Sequence, residues 1–351
     1  MVIQIKSGGN PFGTHRVIEP RGVLPQPALK IDNNIDYIYD NEILVDVDTL
    51  NIDSASFTQI KEAAGRDEKI IIDTITRIVS EKGKMQNPVT GSGGMFTGTV
   101  AVIGPKLAGK IDLKPGDKIA SLVSLSLTPL NIEKILGIKK GTEQVKVKAR
   151  AILFESGIYA KLPADLPQTL ALAILDVAGA PAQTAKLVKP GSTVAILGAA
   201  GKSGVLCSYE AKRRVGVSGR VIGLEYSAAA VKKMQDYGFC TDAVQANATD
   251  ALECYSKVSA LTGGKMADVV INCVNIPNTE MASVMLCREE GTVYFFSMAT
   301  SFTKAALGAE GVGKDVHMII GNGYTRHHAD ITINILRESP VIRNIYEKIY
   351  A

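Results

Sequence analysis

The sequence predicts an α/β fold in which a β-rich domain precedes a doubly wound parallel sheet. Residues 1–162 are rich in glycine and proline between short apolar runs, which is the pattern of strands joined by turns. From residue 163 onward, strand-like and helix-like segments alternate, as they do in a parallel sheet covered by helices. Within that alternation the apolar run 194–197 leads directly into a turn of small residues. Such a run is typical of a strand that is buried on both faces.

The composition is that of a globular protein. Its 351 residues suffice for two domains, and 46% of them are hydrophobic and 21% charged. The net charge is only +4 and the basic residues are scattered, so we expect no nucleic-acid partner. There is no apolar run of membrane-spanning length and no signal-peptide core, so we expect no membrane partner and a cytoplasmic location. The five cysteines include no CxxC pair and are expected to be free thiols.

The predicted first domain, residues 1–162, carries one helical insertion. Residues 42–48 predict a strand. Ser54 is the expected N-cap of a helix over residues 54–64. A second helix, over residues 67–81, places four apolar residues along one side, namely Ile71, Ile75, Ile78 and Val79. The insertion therefore spans about residues 54–82, and β-structure resumes after residue 88.

Residues 163–322 are predicted to form the parallel sheet. Its strands are expected near residues 193–197, 220–224, 242–244, 268–273, 292–297 and 317–320. Residues 323–351 include a helix-like segment, which we expect to return to the first domain.

The turn of small residues after residue 197 opens a helix near Ser203. Its backbone N–H groups and the positive end of the helix dipole suit a pyrophosphate, and small side chains let the phosphates approach. A P-loop is excluded because that motif requires glycine where Ile196 stands. The turn therefore predicts a dinucleotide site formed by Gly198, Ala199, Ala200, Gly201, Lys202, Ser203 and Gly204.

Glu225 ends the next predicted strand, 24 positions beyond Gly201. A carboxylate at a spacing of about 20 residues binds the ribose hydroxyls in dinucleotide folds. Glu225 would repel the additional phosphate of NADP, so the sequence favours NAD as the cofactor. Tyr226 is a candidate to lie against the adenine. Three residues at the carboxyl ends of two further strands are predicted near the nicotinamide, namely Val274, Asn275 and Ser297.

Several motifs follow one another in a fixed order along the chain. They are Asn41-Glu-Ile-Leu-Val-Asp-Val, Pro88-Val-Thr-Gly-Ser-Gly-Gly, Leu113-Lys-Pro-Gly-Asp-Lys, Pro190-Gly-Ser-Thr-Val-Ala-Ile-Leu-Gly-Ala-Ala-Gly and Asp268-Val-Val-Ile-Asn-Cys-Val. In this order they resemble the medium-chain dehydrogenase/reductase superfamily, and the resemblance covers most of the chain. It implies a GroES-like catalytic domain, a Rossmann domain that binds the dinucleotide, and a homodimer or homotetramer.

Zinc-dependent members of that superfamily place a Cys, a His and a second Cys around a catalytic metal. The matching positions here are Asp53, Ser92 and Asp176, which are a poor ligand set for zinc. No cysteine precedes residue 200, so the cysteine-rich structural zinc lobe is missing as well. The resemblance therefore implies a zinc-independent enzyme with no metal ligands.

A narrower resemblance is carried by residues 9–30, the two-helix insertion and the glycine turn. These segments resemble dehydrogenases that oxidatively deaminate 3,5-diaminohexanoate with NAD in anaerobic lysine fermentation. The resemblance implies that the products are 5-amino-3-oxohexanoate and ammonia.

That chemistry requires a neutral amine, because an alkylammonium titrates near ~10.4, roughly three units above neutral pH. Asp53 and Asp176 are predicted to bind or deprotonate the amino groups, and Ser92 to orient the amine or the water. Arg326 is the candidate that binds the substrate carboxylate. Structural or surface roles are expected for three histidines, namely His15 in a strand and the pair His327 and His328 in an exposed loop.

Two other functions remain open. The segment 199–201 also fits zinc-independent enoyl or quinone reductases that use NADPH, whereas Glu225 and the paired aspartates oppose that interpretation. The chain is alternatively a non-catalytic nucleotide-binding module with a structural or redox-sensing role. Tight NAD binding without turnover of any amine or carbonyl would favour the module.

Overall fold

The computed structural model describes residues 3–139, 141–297, 299–321 and 323–350. The chain divides into two compact units, and the boundary between them follows Asp176 rather than residue 162. The difference arises because the segment after residue 162 forms a helix that packs within the first unit. In the described ranges, no helix combines the length and apolar character needed to cross a membrane.

The first unit is built on an antiparallel sheet, as expected for a β-rich domain. Its strands run in the order β10-β7-β6-β5-β9-β8. The bounds of the strands in this unit are β1 (Gln4–Lys6), β2 (Val17–Glu19), β3 (Lys30–Ile31), β4 (Tyr37–Tyr39), β5 (Glu42–Ile52), β6 (Gly94–Ile103), β7 (Lys118–Ser121), β8 (Leu130–Ile138), β9 (Gln144–Phe154) and β10 (Tyr159–Lys161). The long strand β5 lies between β6 and β9, and its buried residues form the centre of the core.

The helical insertion consists of α1 (Ser54–Ala63) and α2 (Glu68–Lys82), and α3 (Gln168–Leu175) follows the last strand of the unit. The four apolar residues predicted on one side of the second helix are all buried. The predicted N-cap of the first helix was wrong. Asp53 is the cap, because its Oδ1 accepts a hydrogen bond from the N–H of Ser56, and Ser54 is the first helical residue.

A buried ion pair between Arg16 and Glu42 holds the N-terminal segment onto β5. Both side chains are fully buried, and the Glu42 carboxylate accepts hydrogen bonds at 2.7 Å from both Nε and Nη2 of Arg16. His15 lies in a 3-10 turn, not in the expected strand, and its Nε2 is 2.8 Å from Glu42 Oε1. Burial alone would raise the pKa of Glu42, but the hydrogen bonds from His15 and Arg16 outweigh it and lower that pKa.

We expect Glu42→Gln to lower the free energy of unfolding by about 3–5 kcal/mol, because it removes the buried counter-charge of the Arg16 guanidinium and leaves only a longer contact of 3.5 Å to the partly exposed Asp32. Urea denaturation measures the loss. Since the folded pKa of Glu42 is depressed, its stabilisation is present above the unfolded pKa of about 4.3 and is lost as pH falls through the folded value. Glu133→Gln is the control, because Glu133 forms an exposed ion pair with Lys148. We expect this substitution to lower the free energy of unfolding by at most about 1 kcal/mol. Equal effects of the two substitutions would contradict the prediction.

The second unit contains the predicted parallel sheet, in the strand order β13-β12-β11-β14-β15-β16. This is the strand order of a Rossmann fold. The elements are α4 (Gly179–Leu187), β11 (Thr193–Leu197), α5 (Lys202–Val215), β12 (Arg220–Glu225), α6 (Ala228–Tyr237), β13 (Asp242–Gln245), α7 (Ala251–Thr262), β14 (Ala267–Asn272), α8 (Glu280–Leu286), β15 (Cys287–Phe295), α9 (Phe302–Gly311), β16 (Val316–Ile320), α10 (His328–Glu338) and α11 (Pro340–Tyr350). The five cysteines are free thiols, as predicted.

The C-terminal segment was expected to return to the first domain, and this prediction was wrong for residues 323–349, which belong to the second unit. Helix α10 packs against α4, and the Thr332 hydroxyl donates a hydrogen bond to the carbonyl of Ala178 at 3.3 Å. The segment before α10 also approaches the start of α4 so closely that a glycine is needed there, because a Cβ on Gly179 would lie 2.7 Å from the carbonyl oxygen of Gly323. His328, expected in an exposed loop, is a buried residue of α10, and burial lowers its pKa.

Candidate active site

Asp53 and Ser92, two of the predicted catalytic residues, are in direct contact. The Ser92 hydroxyl donates a hydrogen bond to Oδ2 of Asp53 at 2.6 Å. Asp53 Oδ1 accepts the Ser56 N–H at 3.0 Å, so the cap of α1 fixes the orientation of the carboxylate. Both side chains are half-buried. The structure therefore presents a carboxylate and a hydroxyl as one hydrogen-bonded pair.

Asp176, the third predicted catalytic residue, is linked to the same end of β5 through Asn51. Asp176 is the C-cap of α3, and its Oδ1 accepts a hydrogen bond from Nδ2 of Asn51 at 3.3 Å. Asn51 is buried in β5, two positions before Asp53. Asn51 was not predicted, although a polar residue between two apolar ones, Leu50 and Ile52, near the end of the strand was a usable signal.

Two further hydroxyls complete this group, and sequence reasoning missed them as well. The Ser56 Oγ lies 3.0 Å from Ser92 Oγ and 2.5 Å from Thr90 Oγ1. Ser56 is fully buried, whereas Thr90 is exposed. We call Asp53, Ser92, Ser56 and Thr90 the hydroxyl chain.

Carboxylates, hydroxyls and an amide are groups that bind ammonium, since each offers an oxygen acceptor to N–H donors. In the part of the chain that the structure describes, no three side chains of His, Cys, Asp and Glu are grouped so that they could hold a metal ion. Zinc independence stays a prediction.

The glycine turn of the second unit has the geometry of a phosphate-binding turn. Gly198 has φ of +76°, which favours glycine, and a Cβ on Gly204 would lie 1.9 Å from the Gly198 carbonyl oxygen. Helix α5 therefore packs tightly against the end of β11. Its N-cap is Gly201, which offers no side-chain acceptor to the first-turn amides. The first amides of a helix have no partner within the helix and suit a pyrophosphate, so the residues present fit a dinucleotide.

Glu225 closes β12 beside this turn. Its Oε1 accepts a hydrogen bond from the N–H of Ala200 at 2.7 Å, a contact that the sequence did not predict. The carboxylate is thus oriented by the turn, and each carboxylate has a second oxygen with which to meet a ribose hydroxyl. Tyr226, the next residue, is 73% exposed, so its ring is accessible to a ligand. Of the two polar residues at the start of α5, Ser203 is buried and Lys202 is half-buried.

The residues predicted near the nicotinamide lie at the carboxyl ends of β14 and β15. Buried Asn272 orients this edge, because its Oδ1 accepts the Val274 N–H at 3.0 Å. Val274 also packs close to the glycine turn, since its Cγ2 would be 3.1 Å from a Cβ on Gly198. The Ser297 hydroxyl donates to Oδ1 of Asn275 at 3.5 Å. The structure thus gathers the turn, Val274 and the Asn275–Ser297 pair at one edge of the parallel sheet.

Arg326, the candidate for the substrate carboxylate, is exposed in the turn that precedes α10. His327 is the exposed N-cap of that helix and has φ of +63°. The role of Arg326 stays a prediction.

Two family models match separate parts of this chain. Residues 15–163 match the model of the L-erythro-3,5-diaminohexanoate dehydrogenase N-terminal domain, and residues 204–322 match the model described as zinc-binding dehydrogenase. The chain is 63% identical to an L-erythro-3,5-diaminohexanoate dehydrogenase of Acetoanaerobium sticklandii, over 97% of this chain and 99% of the relative. A protein of the same name from Fusobacterium nucleatum is 60% identical over the same shares of the two chains.

Two solved structures show the same fold at low sequence identity. One is a mycobacterial protein complexed with NADPH, with a TM-score of 0.56, 16% identity and coverage of 88% of each chain. The other is a zinc-dependent alcohol dehydrogenase from Streptococcus pneumonia, with a TM-score of 0.55, 18% identity and coverage of 95% of this chain and 92% of the other. Both support the predicted fold class, a Rossmann sheet combined with a GroES-like domain.

Proposed function

Because the chain belongs to the L-erythro-3,5-diaminohexanoate dehydrogenase family, we propose that it catalyses the oxidative deamination of this diamino acid to 5-amino-3-oxohexanoate and ammonia. The observation that carries the proposal is the identity of 60–63% over 97% of the chain to two proteins of that name. The two aspartates support it independently, since the substrate brings two amino groups to be held.

The enzyme uses a nicotinamide dinucleotide, which accepts a hydride from the carbon that bears the amine. We propose NAD as the cofactor. The support is Glu225, whose carboxylate is held beside the glycine turn by the Ala200 N–H. A carboxylate in this position accepts hydrogen bonds from ribose hydroxyls and repels a phosphate on the same ribose.

We expect Glu225→Gln to lower the ratio of kcat/KM with NAD to kcat/KM with NADP by about ten- to a hundredfold. The reason is that a hydrogen bond to a charged group is worth about 1.5–3 kcal/mol. Glutamine keeps an acceptor for the Ala200 N–H and removes only the charge. Steady-state kinetics with both cofactors measure the ratio. Glu310→Gln, at an exposed position of α9, is the matched control and leaves the ratio unchanged. An unchanged preference in Glu225→Gln would contradict this role.

The two aspartates divide the work between the two amino groups. Asp53 is hydrogen-bonded to the hydroxyl of Ser92, and a hydroxyl both donates and accepts protons. Since a base must pass on the proton that it takes, Asp53 is the base that deprotonates the 3-ammonium. The carboxylate of Asp176 is hydrogen-bonded to the side-chain amide of Asn51. The amide orients this carboxylate but does not relay a proton, so Asp176 binds the 5-ammonium. Ser92 orients the neutral amine and then the water that hydrolyses the iminium.

Three further features complete the proposal. Arg326 binds the substrate carboxylate. The protein is a cytoplasmic homodimer or homotetramer, as the superfamily resemblance implies, and light scattering of the purified protein measures its mass. The reaction needs no zinc, because Asp53, Ser92 and Asp176 stand at the positions that match the ligands of the zinc-dependent members.

The test is NADH formation by the purified protein with 3,5-diaminohexanoate, with and without a chelator. The same protein is assayed with NADP, with a simple alcohol, and with an enone and NADPH. Reduction of NAD by the diamino acid alone, unaffected by the chelator, is the expected result. NADPH consumption with the enone and no amine oxidation would favour an enoyl or quinone reductase instead. Cofactor binding without any turnover would favour a non-catalytic module.

A further inference from the structure

The oxidation of an amine by this enzyme leaves one proton to be removed in every turnover. An ammonium substrate, NAD and one water give an oxo acid, reduced cofactor, ammonium ion and one proton. That proton first reaches the base when the substrate ammonium loses it. The base must release it again before the next turnover, because a protonated carboxyl accepts no further proton.

The hydroxyl chain supplies a continuous route from Asp53 to the surface. Ser92 Oγ is 2.6 Å from Asp53 Oδ2, Ser56 Oγ is 3.0 Å from Ser92 Oγ, and Thr90 Oγ1 is 2.5 Å from Ser56 Oγ. All three distances are within hydrogen-bonding range for O–H···O contacts. The last member, Thr90, is exposed, whereas Ser56 is fully buried.

Each hydroxyl in the chain has the chemistry that a relay needs. A hydroxyl donates one hydrogen and accepts at its lone pairs, so it receives a proton on one side while it gives up another on the other side. In each hydrogen bond between two hydroxyls, either oxygen is able to donate. When every hydroxyl passes its proton to the next oxygen, the donor and the acceptor of each hydrogen bond exchange roles. The amide of Asn51, which contacts the other aspartate, has no such freedom.

We propose that Ser92, Ser56 and Thr90 form a proton relay that carries the proton from Asp53 to solvent. Asp53 donates the proton that it took from the substrate to Ser92 Oγ. Ser92 passes its own hydroxyl proton to Ser56, Ser56 passes one to Thr90, and Thr90 releases one to water. Each O–H bond that breaks is replaced by one that forms, and Asp53 returns to the carboxylate. This inference rests on the proposed amine oxidation, in which Asp53 is the base.

Two single substitutions each remove one member of the relay and leave Asp53 and Ser92 in place, namely Ser56→Ala and Thr90→Val. Ser56→Ala leaves only the direct contact of 3.4 Å between Ser92 Oγ and Thr90 Oγ1, which is longer than the roughly 3.0 Å limit of a good O–H···O hydrogen bond and is a poor path for a proton. We expect each to lower kcat for the diamino acid about tenfold, which is part of the 10²–10⁴ that acid–base catalysis contributes. High concentrations of a small buffer base such as imidazole restore the rate, because the base takes the proton in place of the missing hydroxyl. Thr90→Ser keeps a hydroxyl at the same position and retains the wild-type rate.

Thr76→Val is the matched control for Thr90→Val. Thr76 is an exposed threonine of α2 whose hydroxyl donates to the Ile72 carbonyl and takes no part in the hydroxyl chain. We expect no change in its rate or in its response to buffer.

The outcomes separate the relay from the proposed function. Wild-type rates in Ser56→Ala and Thr90→Val, or slow rates that buffer does not restore, would overturn the relay while amine oxidation by the wild type stands. A wild type that does not oxidise the diamine would refute the proposed function and the relay with it.

Discussion

We expect the replacement of Asp53, the proposed base, by asparagine to lower kcat for 3,5-diaminohexanoate by about 10²–10⁴, because a positioned general base contributes a factor of this size. Asparagine caps helices about as well as aspartate, so the hydrogen bond to the Ser56 N–H survives the substitution. The effect therefore falls on proton transfer and leaves the fold intact. Steady-state kinetics at saturating substrate and cofactor measure it, and the unfolding midpoint in urea checks the fold.

Asp67→Asn provides the control for this substitution. Asp67 is the N-cap of α2 and accepts hydrogen bonds from the N–H groups of Lys69 and Ile70, so the same change is made at an equivalent cap. It leaves kcat unchanged. If Asp53→Asn also retained wild-type kcat, Asp53 would be a capping residue and nothing more.

We expect the replacement of Asp176, the proposed ligand of the 5-ammonium, by asparagine to lower kcat/KM by about ten- to a hundredfold, mainly by raising KM. A hydrogen bond to a charged group is worth about 1.5–3 kcal/mol, and a contact that is equally strong in the ground and transition states appears in KM. Asp46→Asn tests the general effect of losing a carboxylate in this unit, because Asp46 pairs with Arg150 at an exposed position. A large fall in kcat with KM unchanged would assign the base role to Asp176 instead.

The parts of the fold that the sequence predicted are those determined by local pattern. The apolar run before Gly198 and the glycine turn predicted the position of β11 and the start of α5, and the spacing of four apolar residues predicted α2. The start of β15 was missed because the residues after Cys287 are charged and exposed, so no apolar run marks them.

Other features depend on contacts between distant segments. Ser54 and Asp53 are both good caps, and only the folded turn decides between them. The hydroxyl chain joins Ser56 to Thr90, which are 34 positions apart and lie on different elements, so no spacing rule indicates it. The burial of His328 follows from the packing of α10 within the second unit, which the local sequence does not determine.

We propose that the two aspartates serve different amino groups, and one comparison of substrates tests this division. Wild type, Asp53→Asn and Asp176→Asn are each assayed with 3,5-diaminohexanoate and with 3-aminohexanoate, which lacks the 5-amino group. We expect Asp176→Asn to lose kcat/KM with the diamino acid and to match wild type with the monoamino acid, while Asp53→Asn loses activity with both. Equal losses of Asp176→Asn on the two substrates, or full activity of Asp53→Asn on the monoamino acid, would contradict this account.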